Sequence, residues 1–333
     1  MADRHHYVPQ LLLRNFATDD QIWLFDKSND KSFKTNIKNA FVEGDYNTVV
    51  GDNFTLEAEQ IFCRAEDMAA PVLKRVLDER EVKHLNDDDR AVIATFVTIQ
   101  HLRSKQSRRT FGLIREHMQS RFPGIPQSDF TSEFFEPHEL DKHASLDFLA
   151  RNLSHLATLV AQKDMVLIER GCHGGFWISD HPVILHNDNP RGHASNTGLA
   201  VPGIQIYMPI SPLFVIAFFC PTIAKELEDG AKKIAEARSS LFAFHFSKGT
   251  LSEDVSLKLT YVNEQKQKVE LQLKEIREDR RVRFDSQNLI FLNSHQVLSA
   301  YRFLASDSDE FALAIDMIHR DPQLRQTDHI HFS

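Results

Sequence analysis

Two adjacent histidines stand in the tight run His5-His6-Tyr7-Val8-Pro9-Gln10 near the start of the chain. Imidazole titrates near neutral pH and is the commonest nitrogen ligand of transition metals, so either ring can ligate a divalent metal or move a proton. In extended backbone successive side chains point to opposite sides, so the pair is poorly placed to hold one metal between its members. The plainer reading puts one ring in a core hydrogen bond and the other toward solvent.

A second constellation lies on a helical stretch in which Ile93, Phe96 and Val97 mark the apolar stripe. At about 100° per residue Gln100 and Arg103 fall inside that stripe. A buried guanidinium needs a partner, and Glu66, at the edge of the stripe formed by Phe62 and Ala69, is the simplest one. The expectation is a structural Glu66–Arg103 pair, with a ligand-binding Arg103 beside a functional Glu66 as the alternative. Ser179-Asp180-His181-Pro182 follows a strand, where short polar residues are often displayed for function. Asp180 is a candidate carboxylate to orient His6 or to share a metal with it, and Asp-x-Pro is equally ordinary turn chemistry. Basic residues gather at Arg103, Lys105, Arg108, Arg109, Arg115 and Arg121, and again at Arg277, Arg280, Arg281 and Arg283. They read as solvated faces or as forks for a phosphate-bearing ligand. The chain has no phosphate-binding glycine loop, dinucleotide-binding turn, zinc-protease helix or serine elbow of standard spacing.

The elements that must position these residues follow from periodicity. Leu11–Phe16 reads as a short helix and Gln21–Asp26 as a strand closed by a turn at Lys27–Asp30. Ile61, Phe62, Ala65, Met68, Ala69, Val72, Leu73 and Val76 predict an amphipathic helix from Thr55 to about Leu77. Asn86 with Asp87-Asp88-Asp89 predicts an N-cap for a second long helix running toward Met118, packed on the first. A break at Phe122–Pro126 and a polar connection to about Asp141 precede a helix over Ser145–Ala161. From Asp164 the signals turn to β: a hairpin of Met165–Glu169 and Phe176–Ser179 about a Gly171–Gly175 turn, then strands at Ile204–Met208 and Leu213–Cys220. Asn187–Gly203 reads as a loop. Phe242–Phe246 and Val255–Tyr261 are candidate additions to the sheet, and Asn288–Leu304 is helical.

At 333 residues, 42% hydrophobic and 26% charged with 25 Phe, the chain can bury a large core and lacks the composition of disorder. The formal charge of −8 works against broad nucleic-acid binding, and no apolar run reaches bilayer length. Cys63, Cys172 and Cys220, odd in number and far apart, read as buried thiols of a reducing, cytoplasmic setting. The fold class is therefore α+β: two long antiparallel helices and a C-terminal helix layered on a mainly antiparallel sheet. Residues 1–310 are expected to form one domain, helical over about 55–161 and β-rich over about 164–262, followed by a tail at 311–333. No membrane partner is expected, and oligomeric state is not legible.

Taken together, His-His-Tyr-Val-Pro, Leu13-Arg14-Asn15-Phe16, Gln100-x-x-Arg103, the run from Phe176 to Val183, Pro209-Ile210-Ser211-Pro212, Asn293 and Tyr301-Arg302 give the chain its resemblance to a largely bacterial family, domain of unknown function 4238. The resemblance spans nearly the whole chain. It implies a grouping of residues and not a reaction. Tyr7, Arg14, Ser179 and Asn293 join Gln100 and Arg103 as ligand-binding candidates, with His5, His6, Glu66 and Asp180 as catalytic ones. His6 and Asp180 are the candidate ligands of a divalent metal. That family usually has Ser-Asp-Asn-Pro at the strand end, so His181 departs from its pattern. The leading expectation is a hydrolase of phosphodiester or nucleotide-like substrates. The alternative is a non-catalytic sensor or binding module, set in a bacterial defence or toxin-type system.

Overall fold

A computed structural model describes residues 4–51, 54–121, 137–188, 197–250 and 253–325 of the chain. β1 (Arg4–His6) leads into α1 (Gln10–Leu13), which tightens into a 3-10 turn at Arg14–Phe16. β2 (Gln21–Asp26) and β3 (Lys31–Asn36) form a hairpin. The chain then returns as β4 (Val42–Gly44) beside β1, with His5 opposite Glu43 and His6 opposite Val42. A short pair, β5 (Thr48–Gly51) and β6 (Phe54–Glu57), precedes α2 (Glu59–Glu79), α3 (Asp87–Leu102), α4 (Lys105–Arg121) and α5 (Pro137–Ala161).

The second half supplies most of the sheet. β7 (Asp164–Arg170), β8 (Ile178–Ser179), β9 (Ile184–His186), β10 (Gln205–Pro209) and β11 (Phe214–Phe219) are followed by two long helices, α6 (Pro221–Ser247) and α7 (Glu253–Lys274). A π-helical turn at Glu275–Asp279, β12 (Arg281–Phe284), α8 (Ser286–Ser299), β13 (Phe303–Ser306) and α9 (Ala312–Arg320) complete the order. One sheet has the order β12-β7-β11-β10-β9 and is antiparallel except where β12 meets β7. The other has the order β3-β2-β13-β8, all antiparallel. β7 and β11 lie at the centre of the first sheet, and Met165–Ile168 and Phe214–Phe219 are buried throughout, which is why those strands read as unbroken apolar runs. One core joins Tyr7, Leu12 and Phe16 to the α2 and α3 stripes and to Leu167, Ile206 and Ile216 of the sheet. The molecule is thus α+β, with helices on mainly antiparallel sheets.

Several local expectations need correction. Phe54–Glu57 is strand, and α2 starts only at Glu59. The second long helix is not continuous to Met118, because α3 ends at Leu102 and α4 restarts at Lys105. α5 begins at Pro137, so the end of the expected polar connection is already helical, while the Phe122–Pro126 break lies outside the described residues. β7 and β8 do not form a hairpin: both edges of β7 are occupied by β11 and β12, and β8 joins β13 in the other sheet.

Phe242–Phe246 and Val255–Tyr261 are helical. Their period-two alternation is overridden by the Ala-, Lys-, Glu- and Gln-rich stretches on either side, along which a helix propagates. The helix expected over Asn288–Leu304 stops at Ser299, and Phe303–Ser306 is strand. Residues 311–325 are not a loose tail in this fold, since Phe311, Ala314, Ile318 and Leu324 are buried against Phe25, Trp177 and Val297. Of the thiols only Cys220 is buried; Cys172 is half-buried and Cys63 exposed. Among the described residues no helix is long and apolar enough to cross a membrane.

The expected cap of α3 is present as a reciprocal box: Asp89 N–H donates to Asn86 Oδ1 at 2.8 Å and Asn86 N–H to Asp89 Oδ2 at 3.3 Å. Loss of such a side-chain cap costs a helix about 1 kcal/mol. Asn86→Ala is therefore expected to lower the unfolding free energy by about that amount in a urea titration.

Candidate functional site

β1 separates the two imidazoles as its pleat requires. His5 is buried and its Nδ1 accepts the Asn47 N–H at 3.0 Å, which fixes the loop after β4. His6 points the other way and is half-buried. Burial lowers its pKa below the ordinary histidine value, with Arg4 and Arg103 acting in the same direction against a hydrogen bond to the Ile37 backbone and the charge of Glu59. Nε2 of the ring is buried and without a hydrogen-bond partner among the described residues. Tyr7 is buried with its ring 5.1 Å from that of Tyr46 and 6.0 Å from that of Phe41. Burial, and then the negative charge of Asp180, raise its pKa.

The break between α3 and α4 is built around Arg103. Gln100 and Arg103 are 0% and 1% exposed, as their place in the apolar stripe requires. Arg103 Nη1 meets Glu66 Oε1 at 2.8 Å, and its guanidinium lies 5.3 Å from the Phe62 ring centre. Burial raises the Glu66 pKa against the opposing pull of Arg103. Nε and Nη2 of Arg103 and both ends of the Gln100 amide have no hydrogen-bond partner among the described residues. At the break the Arg103 carbonyl accepts the Tyr46 hydroxyl at 2.8 Å, so a tyrosine from the N-terminal segment satisfies a carbonyl at the end of α3. Arg108, one turn into α4, donates to the Tyr46 carbonyl at 2.5 Å and to Asn47 Oδ1 at 2.9 Å, and stacks 3.5 Å from the Tyr46 ring centre. Asn47 Nδ2 in turn donates to Glu59 Oε2 at 2.6 Å.

This network carries a surface recess of about 260 Å³. Tyr46 and Tyr301 line it, with Lys105, Arg108, Arg109 and Lys142 as cations and Glu43 and Asp141 as anions. Lys105 pairs with Glu43 and lies 5.0 Å from the Tyr7 ring centre, and Arg109 Nη1 meets Glu116 Oε1 at 2.9 Å. Lys105, Arg108 and Arg109 share one face of α4 by their i, i+3, i+4 spacing.

Asp180 takes a different part from the one its sequence context suggests. Its carboxylate accepts the backbone N–H groups of Tyr301, Arg302 and Phe303 at 2.7, 2.7 and 2.8 Å, while its own N–H donates to the Phe303 carbonyl at 3.0 Å. It holds the start of β13 against the end of β8 and has no hydrogen bond to His6. Lys27, also buried, donates to the Val297 and Ala300 carbonyls at 2.8 Å each, and burial lowers its pKa to about 8. Ser179 Oγ donates to the His181 carbonyl at 2.8 Å, and His181 Nδ1 lies 2.5 Å from Ser104 Oγ. Asn293 bridges the Gly175 carbonyl and the Trp177 N–H, tying α8 to the run before β8. Arg14 is exposed on its 3-10 turn. The described residues contain one group of carboxylate and imidazole atoms close enough for a metal, Glu79, Glu81 and His84, and this group includes neither His6 nor Asp180.

His5, Tyr7, Arg103 and, through Arg103, Glu66 therefore belong to the layer around Tyr46, with Gln100 on the same stripe of α3 and His6 on the other face of β1, whereas Ser179, Asp180 and Asn293 brace strand ends. Tyr46, Asn47 and Glu59, central to that layer, escaped the sequence reading. They lie in irregular chain or at a helix start, where no periodicity marks a side chain as inward.

Two predictions follow from the braces. Asp180→Asn turns an accepting oxygen into a donor facing backbone donors, and is expected to lower the unfolding free energy by about 3 kcal/mol, read by urea titration. His101 and His181 pack with ring centres 5.2 Å apart. Burial lowers their pKa values from 6.5 to about 4 and about 3, the His101 neighbour adding to the shift of His181. Below about pH 6.5 the unfolded chain binds protons that the folded chain refuses, so stability complete above that pH declines as pH falls toward about 4. Thermal melts across this range are expected to show the decline, and His101→Phe to flatten it.

No curated protein and no solved structure matches the chain. The family described as protein of unknown function, DUF4238, matches residues 4–310. That span runs from the first residue of β1 past β13 and takes in the whole Tyr46 layer and the Asp180 brace. The chain belongs to the DUF4238 family.

Proposed function

We propose that the chain is a binding module for a small anionic, phosphate-bearing ligand, received at the recess over Tyr46. The observation that carries this reading is the recess itself, where four cationic side chains outnumber two anionic ones on a molecule of formal charge −8. The cations are held by packing. Arg108 is stacked and bonded to the Tyr46 segment, and Lys105 is drawn over Tyr7, so little side-chain freedom remains to be lost on binding. Guanidinium forks match phosphate oxygens, and Lys105 at the start of α4 adds a charge where the helix dipole already favours an anion. The Glu66–Arg103 pair beneath braces the helix break and needs no substrate.

Hydrolysis of a phosphodiester or nucleotide-like substrate is the second reading, favoured by one feature: His6, its pKa lowered by burial and its Nε2 without a hydrogen-bond partner among the described residues, is a general base by type. The carboxylates it would need are otherwise engaged, Glu66 by Arg103 and Asp180 by three backbone amides.

Pyrophosphate and ADP serve as probes. Calorimetric titration is expected to show saturable binding that weakens with salt, and Lys105→Ala or Arg109→Ala to weaken it about tenfold. Absence of saturable binding by either probe, or affinity unchanged in both variants, overturns the binding reading. Release of p-nitrophenol from bis(p-nitrophenyl) phosphate, lost in His6→Ala, would instead establish the hydrolase.

A further inference from the structure

A cavity of about 500 Å³ lies elsewhere, between the β9–β10–β11 side of the five-stranded sheet and the helices that cover it. Pockets for small organic ligands fall in this size range. Its walls are aromatic: Tyr207, Phe219, Phe284 and Phe291. Two carboxylates reach it from opposite parts of the chain, Asp188 after β9 and Glu275 at the head of the π-helical turn, and His186 and Arg283 also line it.

Each carboxylate has a distinct setting. Asp188 is fixed from both sides, Oδ1 lying 2.9 Å from His186 Nε2 and Oδ2 accepting the Gln205 amide at 2.8 Å. Gln205 is itself held by the Tyr207 hydroxyl, so a hydrogen-bonded chain runs from the sheet to the carboxylate. The His186 bond keeps Asp188 ionised, its pKa below the ordinary carboxylate range. Glu275 is half-buried, and its carboxylate has no ion-pair or hydrogen-bond partner among the described residues. Of the neighbouring cations, Lys274 pairs with Asp279, Arg277 with Glu228 and Arg281 with Glu169. Arg283, which also lines the cavity, is exposed and is drawn along Gly171, so close that a Cβ there would meet its Cγ and Nε at 2.8 Å. Burial, then the charge of Asp279, raises the Glu275 pKa, the signature of a carboxylate lacking a counter-ion. A π-helical turn is itself a costly distortion that recurs at functional sites.

The geometry points to a site for an organic ammonium ion with an apolar or aromatic body. The body packs on the aromatic walls, the ammonium pairs with Glu275, and Asp188, together with the π-faces of the rings, adds attraction for positive charge. An anion of the same shape would leave Glu275 uncompensated and meet Asp188 as a like charge.

Two probes with the same phenethyl body and opposite charge, phenethylammonium and 3-phenylpropionate, test this by NMR titration of the full chain. Phenethylammonium is expected to bind saturably, and 3-phenylpropionate at least about tenfold more weakly. Glu275→Gln, which removes an unpaired charge and so leaves the fold intact, is expected to weaken phenethylammonium about tenfold, and Asp188→Asn to weaken it less. Pyrophosphate binding at the recess is expected to be unchanged in both variants. Equal or tighter binding of 3-phenylpropionate, no saturable binding of phenethylammonium, or an affinity unaffected by Glu275→Gln overturns the proposal.

Discussion

A guanidinium with 1% of its surface exposed cannot be left alone, and much of the N-terminal half of this molecule is arranged around that constraint at Arg103. Glu66 supplies the counter-charge from α2, which sets the rotation of α2 against α3. Phe62, on the same stripe, supplies a ring for the cation to lie against. α3 ends at Leu102, and the carbonyl of Arg103 just beyond it is met by Tyr46, a residue from the segment that follows β4. Tyr46 is in turn gripped by Arg108 from the next helix. Because β4 pairs with β1, the same chain of contacts places His5, His6 and Tyr7.

The stripe on α3 showed in the sequence because helical periodicity is a local property: Gln100 and Arg103 stand out only against Ile93, Phe96 and Val97, and those neighbours are enough to orient them. The Glu66–Arg103 pair was legible for the same reason, each partner being the odd residue on its own apolar face. Asp180 was misleading because its partners, the amides of Tyr301, Arg302 and Phe303, are backbone groups that leave no trace in residue identity. A carboxylate at a strand end looks the same in sequence whether it faces substrate or three N–H donors.

The β-strands repeat the lesson. β10 and β11 were readable as apolar runs between prolines. The partner of β8 was not, since pairing is decided by which edges remain open once β7 has taken β11 and β12. Phe242–Phe246 failed in the opposite sense: five residues alternate like a strand inside a helix of 27, and helix propagation from the flanks decides the outcome.

The position of β13 between β2 and β8 has a temporal meaning. β2 and β3 emerge first during synthesis, yet one edge of β2 stays open until Phe303–Ser306 arrives, and the Asp26–Arg302 bond joins residues 276 positions apart. Such a sheet cannot close on the ribosome while the last helices are still being made. Its early hairpin must wait with an unpaired edge, a window in which strands of other nascent chains compete for the same hydrogen bonds.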